Sequence, residues 1–179
     1  MQKVVNIEPT PNPNALKFVV MEPLLSKGAR SFQDFASTIG DPLGAAIFAL
    51  GNVTSVFYMD RFVTVNKLQE TTWAVLIDPI CEAIEDCDLG MKVVDDGSVP
   101  ALEADTKFQK ILDVVDHQIR PGLAGDGGGI EIISFDGQVL TIAYQGACGS
   151  CPAAGTGTLQ FIEGLLKHEV DPSIVVVMA

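Results

Sequence analysis

Ile130-Glu131-Ile132-Ile133-Ser134-Phe135-Asp136-Gly137-Gln138-Val139-Leu140-Thr141-Ile142-Ala143-Tyr144, set between Gly125-Asp126-Gly127-Gly128-Gly129 and Cys148-Gly149-Ser150-Cys151-Pro152, decides the architecture of the C-terminal half of this chain. Two apolar, β-branched runs meet at Asp136-Gly137, a dipeptide that supplies the positive φ of a tight hairpin turn, so Ile130–Ser134 and Gln138–Tyr144 read as paired strands. Upstream, Phe108, Ile111, Leu112, Val115 and Ile119 recur at the spacing of one helix face. Arg120-Pro121-Gly122 is expected to disrupt that helix, because proline lacks the N–H a helix interior needs. Downstream, a helix is expected over Thr156–Glu169, and Ile174–Met178 reads as a β-branched closing strand. The glycine run is not a dinucleotide fingerprint, since it follows a helix and Ile130 stands in the last glycine slot.

The N-terminal half has its own elements. Val4–Glu8 and Leu16–Val20 read as strands about the turn Thr10-Pro11-Asn12-Pro13-Asn14. Ser31 is a candidate cap for a short helix over Phe32–Ile39. Asp41-Pro42 combines an N-cap with proline in the first turn and opens a helix to about Leu50. Val53–Tyr58 and Arg61–Val65 form a hairpin across Met59-Asp60. Thr71 or Thr72 caps a helix carrying Trp73, Val75, Leu76, Ile80 and Ile84, in which Pro79 predicts a kink or a late start. The break between the halves falls at Asp95-Asp96-Gly97-Ser98-Val99-Pro100. The expected fold is therefore α+β, with two small domains, each a small sheet with helices on it: residues 1–95, a linker at 96–105, and residues 106–179.

The chain has 179 residues, 47% of them hydrophobic, which is enough for packed cores and excludes a disordered chain. With 11 Lys and Arg against 23 Asp and Glu, the net charge is −12. Residues 1–99 hold 7 basic and 13 acidic residues, and 100–179 hold 4 and 10, so each half carries −6. Such a surface opposes nucleic-acid binding and attachment to anionic membranes, both of which need clustered cations. It suits the steering of basic partners. No apolar run reaches the roughly 20 residues that span a bilayer. The start, Met1-Gln2-Lys3-Val4-Val5, has neither a signal-peptide core nor a transit-peptide composition, so a cytoplasmic location is expected.

Of the four cysteines, Cys148 and Cys151 carry the chemistry. Two intervening residues allow both sulfurs to face one point, and a following helix N-terminus favours thiolate, the form that ligates metal or attacks a disulfide. Two ligands are half of what tetrahedral zinc or an iron–sulfur cluster needs. The domain has no further cysteine, and His168, at the far end of the helix, fits an interaction with the helix C-terminus better than a third-ligand role. A symmetric dimer would supply four thiolates at an exposed, shared site suited to a transferable cofactor. Cys81 reads as a buried core thiol, Cys87 as exposed between carboxylates, and His117 as a solvated surface residue. No HExxH, P-loop or GxSxG occurs, and no nucleophile, base and oxyanion donor assemble, so an enzyme is not expected.

Ile119-Arg120-Pro121, Asp126-Gly127-Gly128 and Gln145-Gly146-Ala147-Cys148-Gly149-Ser150-Cys151-Pro152 together resemble the C-terminal domain of NifU-like (Nfu) iron–sulfur proteins. Thr10-Pro11-Asn12-Pro13-Asn14-Ala15-Leu16-Lys17-Phe18, Asp41-Pro42-Leu43, Val53-Thr54-Ser55-Val56-Phe57 and Phe62-Val63-Thr64-Val65 resemble that family's N-terminal domain, in order. The resemblance implies a scaffold or carrier that holds a [4Fe–4S] cluster on Cys148 and Cys151 of two subunits, as a cluster-bridged homodimer. It further implies receipt of the cluster from an upstream assembly scaffold and delivery to apo iron–sulfur client proteins. This chain departs from the family in having Gly129 where an acidic residue is usual, and Gly155 and Gly157 where Ser or Thr is usual. Two alternatives stand beside this reading. One is a thiol–disulfide oxidoreductase, although a hairpin rather than a strand–helix–strand unit precedes Cys148. The other is a structural zinc-bridged dimer.

Overall fold

A computed structural model describes residues 3–25, 28–87, 106–149 and 157–179. The chain divides into two compact units, residues 1–96 and 97–179. The expected linker at 96–105 lies outside the described residues. The fold is α+β, with a separate sheet in each unit.

Unit 1 is a five-stranded antiparallel sheet in the order β1-β2-β5-β4-β3, formed by β1 (Val4–Pro9), β2 (Ala15–Val20), β3 (Ala29–Phe32), β4 (Val53–Met59) and β5 (Phe62–Lys67). Helices α1 (Pro42–Ala49) and α2 (Ile77–Asp86) complete it. Phe18, Val56, Tyr58, Val63 and Val65 from the sheet meet Leu43 and Ile47 of α1 and Ile80 and Ile84 of α2 in one core. The Asp41 side chain accepts from the Gly44 N–H at 2.8 Å, so the expected cap is formed. It also accepts a very short hydrogen bond from the Tyr58 hydroxyl, which joins the cap to the sheet. The late start read from Pro79 is also found: a single 3₁₀ turn at Trp73–Val75 precedes α2.

The segment Thr10–Asn14 is a turn stitched to the sheet by side chains. Asn12 Oδ1 accepts from the Asn14 N–H at 3.0 Å, and its amide reaches Asn66 Oδ1 at 3.4 Å. Asn66 in turn donates to Ser55 Oγ at 2.7 Å. This ladder satisfies polar groups that are otherwise buried, which explains why two asparagines sit inside an apolar unit.

The expected Ser31-capped helix is not formed. Ala29–Phe32 pairs with β4 as an edge strand, which buries Phe32 beside Tyr58 with ring centroids 6.2 Å apart. Only a 3₁₀ turn, Ala36–Thr38, follows. Burying a phenyl ring against the sheet outweighs the weak local preference of so short a segment.

Unit 2 holds α3 (Thr106–Val114), a π-turn at Val115–Ile119, α4 (Arg120–Gly125), β6 (Gly128–Phe135), β7 (Val139–Gly146), α5 (Gly157–Glu169) and β8 (Val175–Met178). Here the expected disruption at Pro121 is corrected: the helical path continues through it. The Arg120 N–H bonds the Val115 carbonyl five residues back, and this widened turn leaves Pro121 in the first turn of α4, where its missing N–H is not needed. The apolar face read from the sequence is thereby kept, with Phe108, Ile111, Val115 and Ile119 buried and Leu112 packed at the margin. Strands β6 and β7 form the antiparallel hairpin, and β8 joins β7 in parallel. A parallel neighbour requires a crossover, and α5 lies in it. The core of this unit gathers Ile130, Leu140 and Ile142 with Ile162 and Leu166 of α5, and Phe108 stacks on Phe135 at 5.8 Å. Among the described residues no helix is long and apolar enough to cross a membrane.

Candidate functional site

The C-terminal end of β7 carries the chain directly into the cysteine motif. Gly146, the last residue of β7, has φ 64°, a left-handed conformation that turns the chain out of the strand and that glycine adopts without strain. The Ala147 N–H then donates to the Gly127 carbonyl at 3.1 Å, and the Gly149 N–H to the Gly146 carbonyl at 3.2 Å. Gly127 also lies in the left-handed region, at φ 75°. Two turns, one before β6 and one after β7, are thus hydrogen-bonded to each other, and Cys148 sits on the second.

Cys148 is half-buried and packs against the core of unit 2. Its position depends on Gly128, which pairs with Gly146 at the start of the hairpin. A Cβ on Gly128 would meet Cys148 Sγ at 2.4 Å and the Gln145 carbonyl oxygen at 3.0 Å, so the thiol occupies the space a side chain would take. On the other flank, a Cβ on Gly149 would come within 3.1 Å of the Tyr144 carbonyl oxygen. The thiol therefore rests over the β6 backbone at Gly128 and against the core, while its residue keeps partial access to solvent. Cys151, the second residue expected at the site, lies outside the described residues. Within the described residues no three His, Cys, Asp or Glu side chains converge as a metal site. A cysteine sulfur is a soft donor, of the kind that suits zinc or iron–sulfur centres.

Tyr144 belongs to the core against which Cys148 packs and was not legible as a site residue. It is 8% exposed, and its hydroxyl is buried without a hydrogen-bond partner among the described residues. Burial, and then the negative charge of nearby Cys148, push its hydroxyl up to about 12. A tyrosine near the end of an otherwise aliphatic strand was the only signal available for it in the sequence.

The other expected residues stay apart. Cys81 is half-buried against the core of unit 1, where desolvation and then the charges of Glu85 and Asp78 raise its thiol pKa and hold it protonated. Cys87, expected to be exposed, is also half-buried against that core, because the end of α2 turns it inward. His117 is exposed, with Nδ1 2.9 Å from the Asp113 carbonyl oxygen. His168 is exposed beside Glu169 at 2.9 Å.

The family model for the scaffold protein Nfu/NifU N-terminal domain matches residues 5–88, and that for the NifU-like domain matches residues 111–177. The human protein named NFU1 iron-sulfur cluster scaffold homolog, mitochondrial, is 31% identical over 172 residues, which span 93% of this chain and 68% of that protein. The chain belongs to the Nfu family. Arabidopsis thaliana NifU-like protein 5, mitochondrial, is 32% identical over 178 residues, and this chain spans 64% of its length. The solution structure of a NifU-like protein from Saccharomyces cerevisiae is 26% identical, covers 45% of this chain and 75% of its own, and has a TM-score of 0.39. Both family domains occur here in order, and Cys148 lies in the NifU-like part.

Proposed function

We propose that this Nfu-family chain is a carrier rather than an enzyme: it binds a [4Fe–4S] cluster through Cys148 and Cys151 and passes it to apo iron–sulfur proteins. Two copies of the chain contribute a pair of thiolates each, giving the four ligands such a cluster takes. An upstream assembly scaffold supplies the cargo. The observation that carries this reading is the placement of Cys148, a half-buried thiol that occupies the side-chain space left open by Gly128 and packs against the core of unit 2. A ligand held this way is preorganised for metal yet reachable by the thiolates of a recipient.

Two chemical roles follow for the chain. Its thiolates hold iron as ligands, and replacement by a recipient's cysteines releases the cargo without any change in the carrier's covalent structure. The net charge of −12 favours encounter with basic recipient surfaces. The oxidoreductase alternative is weakened because β6 and β7 form a hairpin leading into Cys148, with no helix between the two strands.

The test is anaerobic reconstitution with ferrous iron and sulfide, followed by iron, sulfide and zinc analysis and measurement of mass in solution. A brown dimer with about four irons and four sulfides supports the proposal. A colourless dimer containing zinc, or a metal-free monomer that reduces disulfides, replaces it with the corresponding alternative.

A further inference from the structure

A hydroxyl buried without a partner is a cost that native folds rarely carry without a reason. Tyr144 carries one that finds no partner among the described residues, in a residue more than nine-tenths buried. Its place in the sheet shows what it faces. In the β6–β7 register Ile130 lies opposite Tyr144, and Gly128 lies opposite Gly146. Directly opposed residues of an antiparallel pair point to the same face, and so do residues two apart on one strand. Tyr144 and the vacant side-chain position of Gly128 are therefore diagonal neighbours on one face. The atom that fills this vacant position is Cys148 Sγ, 2.4 Å from where a Cβ would stand. The unpartnered donor and the thiol thus occupy adjoining positions on the core side of the hairpin.

We propose that the Tyr144 hydroxyl donates a hydrogen bond to sulfur at the Cys148 site when cargo is bound, as a positioning residue that ligates no metal. This rests on the reading of Cys148 as a cluster ligand. A phenol has one O–H to give, and sulfur carrying the negative charge of a thiolate-ligated cluster is a better acceptor than a neutral thiol. Hydrogen bonds to cluster sulfurs stabilise the more negative, reduced state and so raise the reduction potential. They also strengthen retention. The hydroxyl therefore has a function in the loaded protein that it lacks in the empty one.

The opposite signs in the two states supply the test. Tyr144→Phe keeps the ring and removes the oxygen. In the full-length apo chain, its thermal midpoint should equal or exceed that of the wild type, since a buried, unpaired group has been deleted. After anaerobic reconstitution with ferrous iron and sulfide, iron and sulfide content should match the wild type. The cluster's midpoint potential should move to more negative values, and iron loss to a chelator should become several-fold faster. A lowered apo midpoint or failure to fold would assign the hydroxyl a structural partner and overturn the inference. Coincident potentials and release rates in two loaded proteins would overturn it alone, leaving the cluster assignment in place. A folded wild type that takes up no iron and sulfide would remove the cluster assignment first, and the inference with it.

Discussion

Gly128→Ala is the substitution with the sharpest consequence. The φ of Gly128 lies outside the left-handed region, so alanine brings no backbone strain there and its cost is steric. The new methyl would stand 2.4 Å from Cys148 Sγ, 3.0 Å from Cys148 Cβ and 3.0 Å from the Gln145 carbonyl oxygen. Rotating the thiol away relieves only the first contact, because the carbonyl belongs to the backbone of β7. Restoring an ordinary contact requires Sγ to retreat by about 1 Å, several times the ~0.2 Å tolerance of a metal–ligand distance. Overpacking of this kind costs about 1–3 kcal/mol. For a unit of this size each kcal/mol lowers the midpoint by about 4–8 °C, so differential scanning calorimetry should register the change. Iron and sulfide content after reconstitution should fall much further than stability, even at temperatures where the variant is fully folded. Gly122→Ala is the matched control: nothing lies within 4 Å of its added Cβ, and in α4 it should gain roughly 0.5–1 kcal/mol of stability. A Gly128→Ala protein with wild-type midpoint and wild-type cluster content would refute the account of Cys148 as a thiol seated in a glycine cradle.

Four further outcomes are expected. Cys148→Ser and Cys151→Ser should each abolish iron and sulfide uptake with unchanged circular dichroism. Cys81→Ala should retain uptake and cost roughly 1 kcal/mol or less in urea unfolding; the reverse pattern would move the site. Asp41→Ala removes the cap on Gly44 and leaves the buried Tyr58 hydroxyl without its acceptor, so unit 1 should lose about 2–4 kcal/mol in urea denaturation. Asp171 is held at about 2, below its ordinary 3.8, by hydrogen bonds from the Ser173 side chain and backbone and then by Lys107. A depressed carboxylate contributes stability that is fully present above pH 3.8 and is lost as pH falls toward 2. Unit 2 should therefore soften across that window, and Asp171→Asn should flatten that part of the melting-temperature profile against pH.

The parts of the fold legible in the sequence are those fixed by chemistry within a few residues. Asp41 caps α1 because its carboxylate reaches an N–H three residues on. Asp136-Gly137 turns the hairpin because Gly137 takes φ 99° and the Asp136 carboxylate accepts from the Gln138 and Val139 N–H groups at 2.9 and 2.7 Å. The misread parts depend on partners distant in the chain. Ala29–Phe32 is a strand only because β4 pairs with it, and nothing within those four residues alternates in burial. Pro121 has a local rule against helices, but the rule is satisfied by a widened turn whose value lies in keeping Ile119 and Leu123 in the core. Cys148 was legible as a candidate, whereas its contact with Gly128 emerges only once the hairpin register brings residues 20 apart together.

That register also shows how a site can be built largely from missing side chains. Metal ligands lose affinity when they must reorganise, so a thiol needs support on its far side. Larger enzymes supply that support with surrounding side chains, which also screen the site from solvent and from other proteins. Here Gly128 lets the thiol rest on β6, and Gly146 turns the chain to bring it there. The turn preceding β6 receives the Ala147 N–H. Part of the thiol's support thus comes from main chain. A permanent cofactor would gain from a covered site, because covering slows its loss. A cargo that must leave for another protein's cysteines gains from the reverse, since incoming thiolates have to approach iron while the outgoing ones are still attached. Under the carrier role proposed above, a thiol supported by the Gly128 backbone would be held in place without a side chain at that position for an incoming thiolate to displace.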